Sequence, residues 1–164
     1  MSLHDFSLRR HARGLLPEIG PRQRSDTVEA NADALEVLLR RLMAVRRLRE
    51  HPVWEAVRLI RDLPGLGVDE WPSRRFRDLM AADALVDAVI HLTSTTEAKL
   101  CLRTLSHELG LWTCTLRYQP SGAGRITFKA RHADLAAAIL GAFLRSCRGC
   151  QLAAGAAGRG QFPT

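Results

Sequence analysis

The chain has 164 residues, of which 46% are hydrophobic and 25% are charged. This balance is typical of one globular domain, so it excludes an intrinsically disordered protein and leaves little room for a second domain. The chain has 24 Lys and Arg against 17 Asp and Glu, which gives a net charge of +7. That excess favours polyanionic partners such as nucleic acids, although a basic surface can also serve solubility alone.

The sequence carries no signal for a membrane or for export. Charged residues interrupt its apolar stretches well before the roughly 18 consecutive apolar residues of a membrane span. Its basic beginning lacks the apolar core of a signal peptide. We therefore expect a cytoplasmic protein without a membrane partner. The four cysteines of such a protein are expected as thiols or metal ligands rather than as disulfides.

The first helix is predicted after a basic arm. Residues 1–24 mix leucines with arginines and are interrupted by prolines and glycines, which predicts a flexible segment. Ser25 or Asp26 then caps a long helix that reaches about Glu50. Its leucines recur at three- and four-residue spacing, which predicts one apolar face directed toward a core.

Two more helices are predicted in the middle of the chain. The first begins at Pro52 and ends before Pro64, where prolines and glycines form a turn-rich link. The next is capped by Ser73 and reaches about Leu92. Both have apolar residues at helical spacing, so we expect both to contribute to the core.

A fourth helix is predicted from a capping box. Ser94 and Glu97 have the three-residue spacing at which each side chain can accept a hydrogen bond from a backbone amide at a helix start. This helix would end at Leu109, with Gly110 as its stop. Its apolar face would consist of Ala98, Cys101, Leu102, Leu105 and Leu109.

After Gly110 the apolar period changes from about 3.6 residues to about 2, which predicts β-structure. Residues 112–118 and 125–129 alternate apolar and polar side chains on either side of a turn at 120–124. They are predicted to form a two-stranded antiparallel hairpin. A final helix is predicted over 133–146.

The predicted fold is therefore α+β and mainly α. Four N-terminal helices are followed by a two-stranded antiparallel hairpin and a final helix. One domain would span 25–150, with the helix-hairpin-helix unit at its C-terminal end. Residues 151–164, rich in Ala and Gly, are expected to form a disordered tail.

The C-terminal unit carries most of the net positive charge and suggests a function. The outer face of the hairpin would present threonines, arginines and a lysine, without the acidic residues that usually mix into an exposed sheet face. Such side chains can contact phosphates on both sides of a groove. Arginines at the end of the first helix would add to this surface, although cations there also suit a helix C-terminus. The candidate contact residues are Arg117, Arg125, Lys129, Arg131, Arg46 and Arg49.

We therefore predict a non-catalytic nucleic-acid-binding protein, either a DNA- or RNA-binding regulator or a small subunit of a nucleoprotein assembly. No nucleophile and no phosphate-binding glycine loop stands in a recognisable setting, so an enzyme is not predicted. The alternative function is a protein-interaction or oligomerisation subunit without nucleic-acid affinity. For that function Trp54, Trp71 and Trp112 would supply apolar contact surface.

A third hypothesis concerns Cys147 and Cys150, which have the spacing of half a zinc site or of a redox pair. A structural zinc needs four ligands, and the other cysteines are Cys101 and Cys114. Both are expected at inward positions of regular elements, where a cysteine behaves as a small apolar side chain. Zinc is the only cofactor that the sequence brings into question.

Overall fold

The computed structural model describes residues 21–61, 72–95, 100–119 and 124–158. In these residues the fold is α+β and mostly helical, with five helices and one three-stranded antiparallel sheet. In chain order, the elements are α1 (Pro21–Ala44), α2 (Glu50–Arg61), α3 (Arg74–Ala81), α4 (Leu85–Thr95), β1 (Leu100–Glu108), β2 (Leu111–Tyr118), β3 (Ile126–His132) and α5 (Leu135–Gly158).

α5 is the centre of the fold. Every residue from 136 to 144 is buried, which is the pattern of a helix covered on all sides rather than of a surface helix. α5 packs on β2 and β3, on α1 and on α4. At Gly141 an added Cβ would lie 3.3 Å from the Cβ of Ala130 and 3.4 Å from the Sδ of Met43. The small residues of α5 therefore allow β3 and α1 to approach it closely.

The N-terminal helices form the other side of the core. The predicted apolar face of α1 is confirmed for its leucines, since Leu35, Leu38 and Leu42 are each at most 1% exposed. Val45, predicted on the same face, lies beyond the end of the helix and is 41% exposed. Apolar side chains of α2 join the same core. The ring of Trp54 contacts that of Phe76 edge to face at a centroid distance of 5.3 Å, which fixes α2 against α3.

The prediction of a first helix reaching Glu50 is wrong, because α1 ends at Ala44. Residues 45–49 form a non-helical connection, which we name the basic turn, and Arg46 and Arg49 belong to it. Helix propensity alone would continue α1 through these residues. The chain leaves the helix because the backbone of the basic turn hydrogen-bonds to the start of α5, as described below.

The two ends of the described chain are more helical than predicted. α1 begins at Pro21, within the segment 1–24 that was predicted as a basic arm, and proline suits the first turn of a helix. Residues 1–20 lie outside the described part, so the arm itself stays a prediction. α5 extends to Gly158 and so replaces over half of the tail predicted as disordered. Among the described helices, none is both long and apolar enough to cross a bilayer.

The third predicted helix is two helices, α3 and α4, because the chain turns at Asp83 with a φ of 54°. This left-handed conformation cannot continue an α-helix, and Asp is one of the few residues other than glycine that adopts it readily. The predicted cap is confirmed, since the Oγ of Ser73 accepts a hydrogen bond from the amide of Phe76 at 3.2 Å.

The fourth predicted helix is wrong, because residues 100–108 form strand β1. Leu109 and Gly110 have φ values of 53° and 75°, and positive φ at both central residues is what a two-residue type I′ hairpin turn requires. β1 therefore folds back on β2 along its whole length. The apolar face predicted for this helix is not in the core, since Cys101 is exposed and Leu109 is 97% exposed.

The capping box predicted for that helix does not form. The hydroxyl of Ser94 donates to the carbonyl of Ile90 at 2.9 Å inside the last turn of α4. Glu97 lies outside the described residues. A hydroxyl can satisfy a carbonyl of the preceding turn as readily as it caps a new helix, so the Ser-x-x-Glu spacing alone was ambiguous.

The sheet has three strands in the order β1-β2-β3, where the sequence predicted two. β2 and β3 are the predicted hairpin, with Tyr118 opposite Ile126 and Trp112 opposite His132. The ladder between β1 and β2 is irregular at Arg103, which forms a bulge. α5 covers the inner face of β2 and β3.

Candidate nucleic-acid interface

The face of the sheet opposite α5, here called the outer face, is a grid of cations and hydroxyls. The strand register places its side chains in three rows, each crossing the sheet. Each row holds one cation. The rows are Cys101, Arg117 and Thr127, then Thr104, Thr115 and Lys129, then Ser106, Thr113 and Arg131.

The inner and outer faces differ sharply in chemistry. Cys114, Leu116 and Ala130 point inward and are at most 1% exposed. On the outer face Lys129 and Arg131 are exposed. The predicted alternation is therefore confirmed in the centre of the sheet, whereas Ile126, predicted on the apolar face, is 42% exposed at the end of β3.

Acidic residues are nearly missing from the strands. Glu108, at the end of β1, is the one acidic residue among the three strands. It lies one row beyond Arg131, opposite Leu111. The cations of the outer face therefore produce a field that neighbouring carboxylates do not cancel.

Arg125 lies immediately before β3 and is exposed. It is two residues from Thr127, which pairs with Arg117. Since alternate residues of an extended chain lie on the same side, Arg125 adds to the end of the outer face that carries Arg117. The predicted residues of the hairpin are thus brought together on one surface.

The basic turn is held against the other end of the sheet. His132, at the end of β3, forms a hydrogen bond of 2.6 Å from its Nε2 to the carbonyl oxygen of Val45. Its Nδ1 accepts from the amide of Asp134 at 2.9 Å. These two partners fix the neutral tautomer in which Nε2 carries the proton. Because the ring is buried, this contact ties the turn to the residue that follows Arg131.

Asp134 makes a second connection to the basic turn. One carboxylate oxygen accepts from the amide of Ala137 at 3.0 Å and so caps α5, and the other accepts from the amide of Leu48 at 3.3 Å. The side chain of Leu48 is buried, whereas Arg46 and Arg49 are exposed. The turn therefore keeps its apolar side chain in the core and presents its arginines next to the Arg131 end of the sheet.

Replacing Asp134 with alanine is expected to lower the free energy of unfolding by about 2 kcal/mol, of which the lost helix cap accounts for about 1. The amide of Leu48 would also lose its acceptor. Serine at this position can keep the cap but is too short to reach both amides. We therefore expect Asp134→Ser to fall between the wild type and Asp134→Ala in urea denaturation. Equal stability of all three proteins would contradict both contacts.

Two features of the outer face were missed from the sequence. Because residues 100–108 matched a helical period, Thr104 and Ser106 were not recognised as part of this surface. Arg103 was missed for the same reason and is exposed at the bulge. The available signal was the pair of alternating, threonine-containing segments on either side of Leu109 and Gly110, which is the pattern of a hairpin.

The Cys147-Arg148-Gly149-Cys150 segment is part of α5, and the packing of this helix explains its residue types. Cys147 is buried, and Arg148 forms an ion pair with Glu36 of α1 at 3.1 Å. A Cβ on Gly149 would lie 2.7 Å from the Cε1 of Phe128, so this position has no room for a side chain. Arg148 thus holds α5 against α1, and Gly149 allows β3 to approach α5 closely.

The predicted zinc set is not assembled. In the strand register Cys101 lies opposite Arg117 and Cys114 lies opposite Leu105, which places the two thiols on opposite faces of the sheet. Within the residues that the structure describes, no three side chains of His, Cys, Asp or Glu are grouped as a metal would need. The four-cysteine site is therefore not proposed further.

Burial also sets the reactivity of the thiols. It raises the pKa of Cys114 to about 11 and that of Cys147 to about 12, and it raises the pKa of Cys150 as well. At a pH of about 8, a thiol with a pKa of 11 is ionised in only about one molecule in a thousand, and the thiolate is the reactive form. Cys114 and Cys147 should therefore react slowly in the folded protein.

We expect the aromatic disulfide dithiobis(nitrobenzoate) to modify the exposed Cys101 first, and to modify Cys114 and Cys147 only after unfolding. Cys101→Ser should remove the fast phase and leave the slow phases unchanged. Rapid modification of Cys147 in the folded protein, located by peptide mass analysis, would show that this part of α5 opens or is not packed as described.

The candidate interface as a whole consists of the outer face and the basic turn, joined by the His132 and Asp134 contacts. It is a surface of cations and hydroxyls, with the exposed thiol of Cys101 in one end row. Comparison of the chain with protein-family models, with curated proteins and with solved structures finds no match.

Proposed function

We propose that the protein binds nucleic acid without catalysing a reaction on it, as a regulator or as a small subunit of a nucleoprotein assembly. The observation that supports this most directly is the row pattern of the outer face. Arg117, Lys129 and Arg131 occupy three successive rows, and hydroxyl side chains surround them. Cations and hydroxyls are the side chains that most often contact phosphate oxygens.

Some arginines of the helices take part in the fold instead. On the helices, Arg41 pairs with Glu55 and Arg148 pairs with Glu36, so these arginines stabilise the fold. Within the described residues, Arg117 and Arg131 of the sheet have no such ion pair. Cations that the fold leaves unpaired are available to an external anion, and releasing their counterions on binding is favourable.

The experiment that tests this function is a binding titration in a series of salt concentrations. Purified, nuclease-treated protein would be added to labelled single- and double-stranded DNA and RNA, and fluorescence anisotropy would report binding. The proposal requires an affinity that falls linearly in a plot of log K against log salt. Absence of binding to every nucleic acid at low salt would overturn it.

The second candidate function is self-association without nucleic-acid binding, and strand β1 is the feature that favours it. β1 is an edge strand, and Leu102 and Leu105 on its inner face remain 43% and 38% exposed, because α5 packs on β2 and β3 instead. Antiparallel pairing of β1 with the β1 of a second copy would cover these leucines. A dimer that sediments identically at low and high salt, with no affinity for nucleic acid, would support this function over the first.

A further inference from the structure

We infer that the outer face binds duplex DNA over its major groove, with β2 and β3 running across the groove and the end rows of cations on the two phosphate walls. This inference rests on the proposed function and specifies its ligand. It depends on three properties of the sheet: on which face the aromatic residues of the strands lie, which strands carry the cations, and how far apart the rows are.

Among the residues that the structure describes, the outer face has no aromatic side chain on which an unpaired base could stack. The aromatic residues of the strands are Trp112, Tyr118 and Phe128. They lie in register with His132, Ile126 and Leu116, which belong to the inner face. Sheets that bind single strands present aromatic side chains to successive bases. The chemistry of this face fits a ligand that keeps its bases stacked and offers phosphates.

The cations of the rows lie on β2 and β3, while β1 adds hydroxyls, Glu108 and, at its bulge, the exposed Arg103. Cations on both walls of a groove require the strands to run across it, so the separation of the rows along the strands decides which groove fits. The major groove of B-form DNA is about 12 Å wide, and the minor groove is about 6 Å wide. The major groove of A-form RNA is too narrow and deep for side chains to read.

The spacing of the rows matches the major groove of B-form DNA. Arg117 and Arg131 lie in the end rows, which are four residues apart along β2, a distance of about 14 Å. This separation is close to the width of about 12 Å between the walls of the major groove. Arg125 extends the end row that contains Arg117, and the basic turn extends the end row that contains Arg131. Both walls can therefore be contacted at once.

The middle row would then face the base edges. It contains Lys129 with the hydroxyls of Thr115 and Thr104. A lysine in the major groove can donate to the O6 and N7 of guanine, and a threonine can donate to or accept from either kind of base pair. We expect the end rows to supply affinity and the middle row to supply a preference for particular bases.

The experiment compares the full chain on four labelled ligands of one mixed sequence: a DNA duplex of about 20 base pairs, the RNA duplex, and each DNA strand alone. At the same salt concentration we expect the DNA duplex to bind about tenfold more tightly than the other ligands. A second DNA duplex with bulky groups on the C5 atoms of its pyrimidines, which fill the major groove, should bind about tenfold more weakly. A minor-groove-binding diamidine should compete little.

The outcomes separate this inference from the proposed function. Equal affinity for the two duplexes, a preference for single strands, or full affinity for the major-groove-blocked duplex would overturn the major-groove inference while leaving nucleic-acid binding intact. Failure to bind any of the ligands at low salt would overturn the proposed function itself. Competition by the diamidine alone would assign the face to the minor groove and also overturn the inference.

Discussion

Replacing Arg117, Lys129 and Arg131 together with alanine is expected to weaken binding to a nucleic acid about 100-fold at low salt. It should lower the magnitude of the log-log salt slope by about 2, because Arg117 and Arg131 of the end rows are the two that contact phosphates. Each of these residues supplies the cation of one row of the outer face. Each phosphate contact that is lost leaves about one counterion unreleased, so the affinity and its salt dependence should fall together. Anisotropy titrations of wild type and variant over the same salt series measure both quantities.

A matched control is available on the helices. The control replaces Arg58 of α2 and Arg75 and Arg77 of α3 with alanine, which removes the same total charge from exposed positions. Because they are not on the sheet, this control should keep most of the affinity and nearly the whole salt slope. If both variants lose affinity equally, net charge rather than the outer face drives binding. If neither loses affinity, the site assignment is wrong.

The folded state should tolerate the outer-face variant. Lys129 and Arg131 are exposed, and Arg117 is half-buried on a face that α5 does not cover. Substitutions at such positions usually change the free energy of unfolding by less than about 0.5 kcal/mol. An unchanged midpoint in urea denaturation would therefore show that a loss of binding reflects lost contacts and not an unfolded sheet.

The outer face could be predicted from the sequence because it depends on a local rule. Alternation of apolar and polar residues in β2 and β3 fixes which side chains share a face, whatever the rest of the chain does. The sequence therefore places Arg117 and Lys129 on one surface, whereas Arg131 lies beyond the predicted strand and joins this surface because β3 extends to His132. The cap at Ser73 was predictable for the same reason, since its acceptor and donor are three residues apart.

Features that depend on distant contacts could not be predicted in this way. The basic turn leaves α1 because Leu48 meets Asp134, which lies 86 residues away in the chain. In β1, the leucines fit a helical period and, with one bulge at Arg103, also fit a strand. Periodicity alone does not separate these two readings, and only pairing with β2 decides between them. Leu-Gly is also a weaker hairpin signal than Asn-Gly.

Replacing Phe143 with alanine is expected to have the largest effect on stability, a loss of about 3–5 kcal/mol in the free energy of unfolding. The side chain is fully buried on α5, in the stretch that contacts the sheet and the N-terminal helices. Neighbouring alanines cannot move to fill the space that the ring leaves, so most of it would remain as a cavity. A loss of this size is a large fraction of the roughly 5–15 kcal/mol by which domains are stable.

Two further variants make this prediction specific to the central position of α5. Phe143→Leu fills part of the cavity and should cost less than Phe143→Ala. Val37→Ala removes an apolar side chain that is 50% exposed on α1 and should cost no more than about 0.5 kcal/mol. Urea denaturation followed by circular dichroism measures all three. Because α5 supports the sheet from its inner face, Phe143→Ala should also abolish nucleic-acid binding at temperatures where the variant is unfolded. A stable Phe143→Ala protein that binds fully would contradict the central role of this helix.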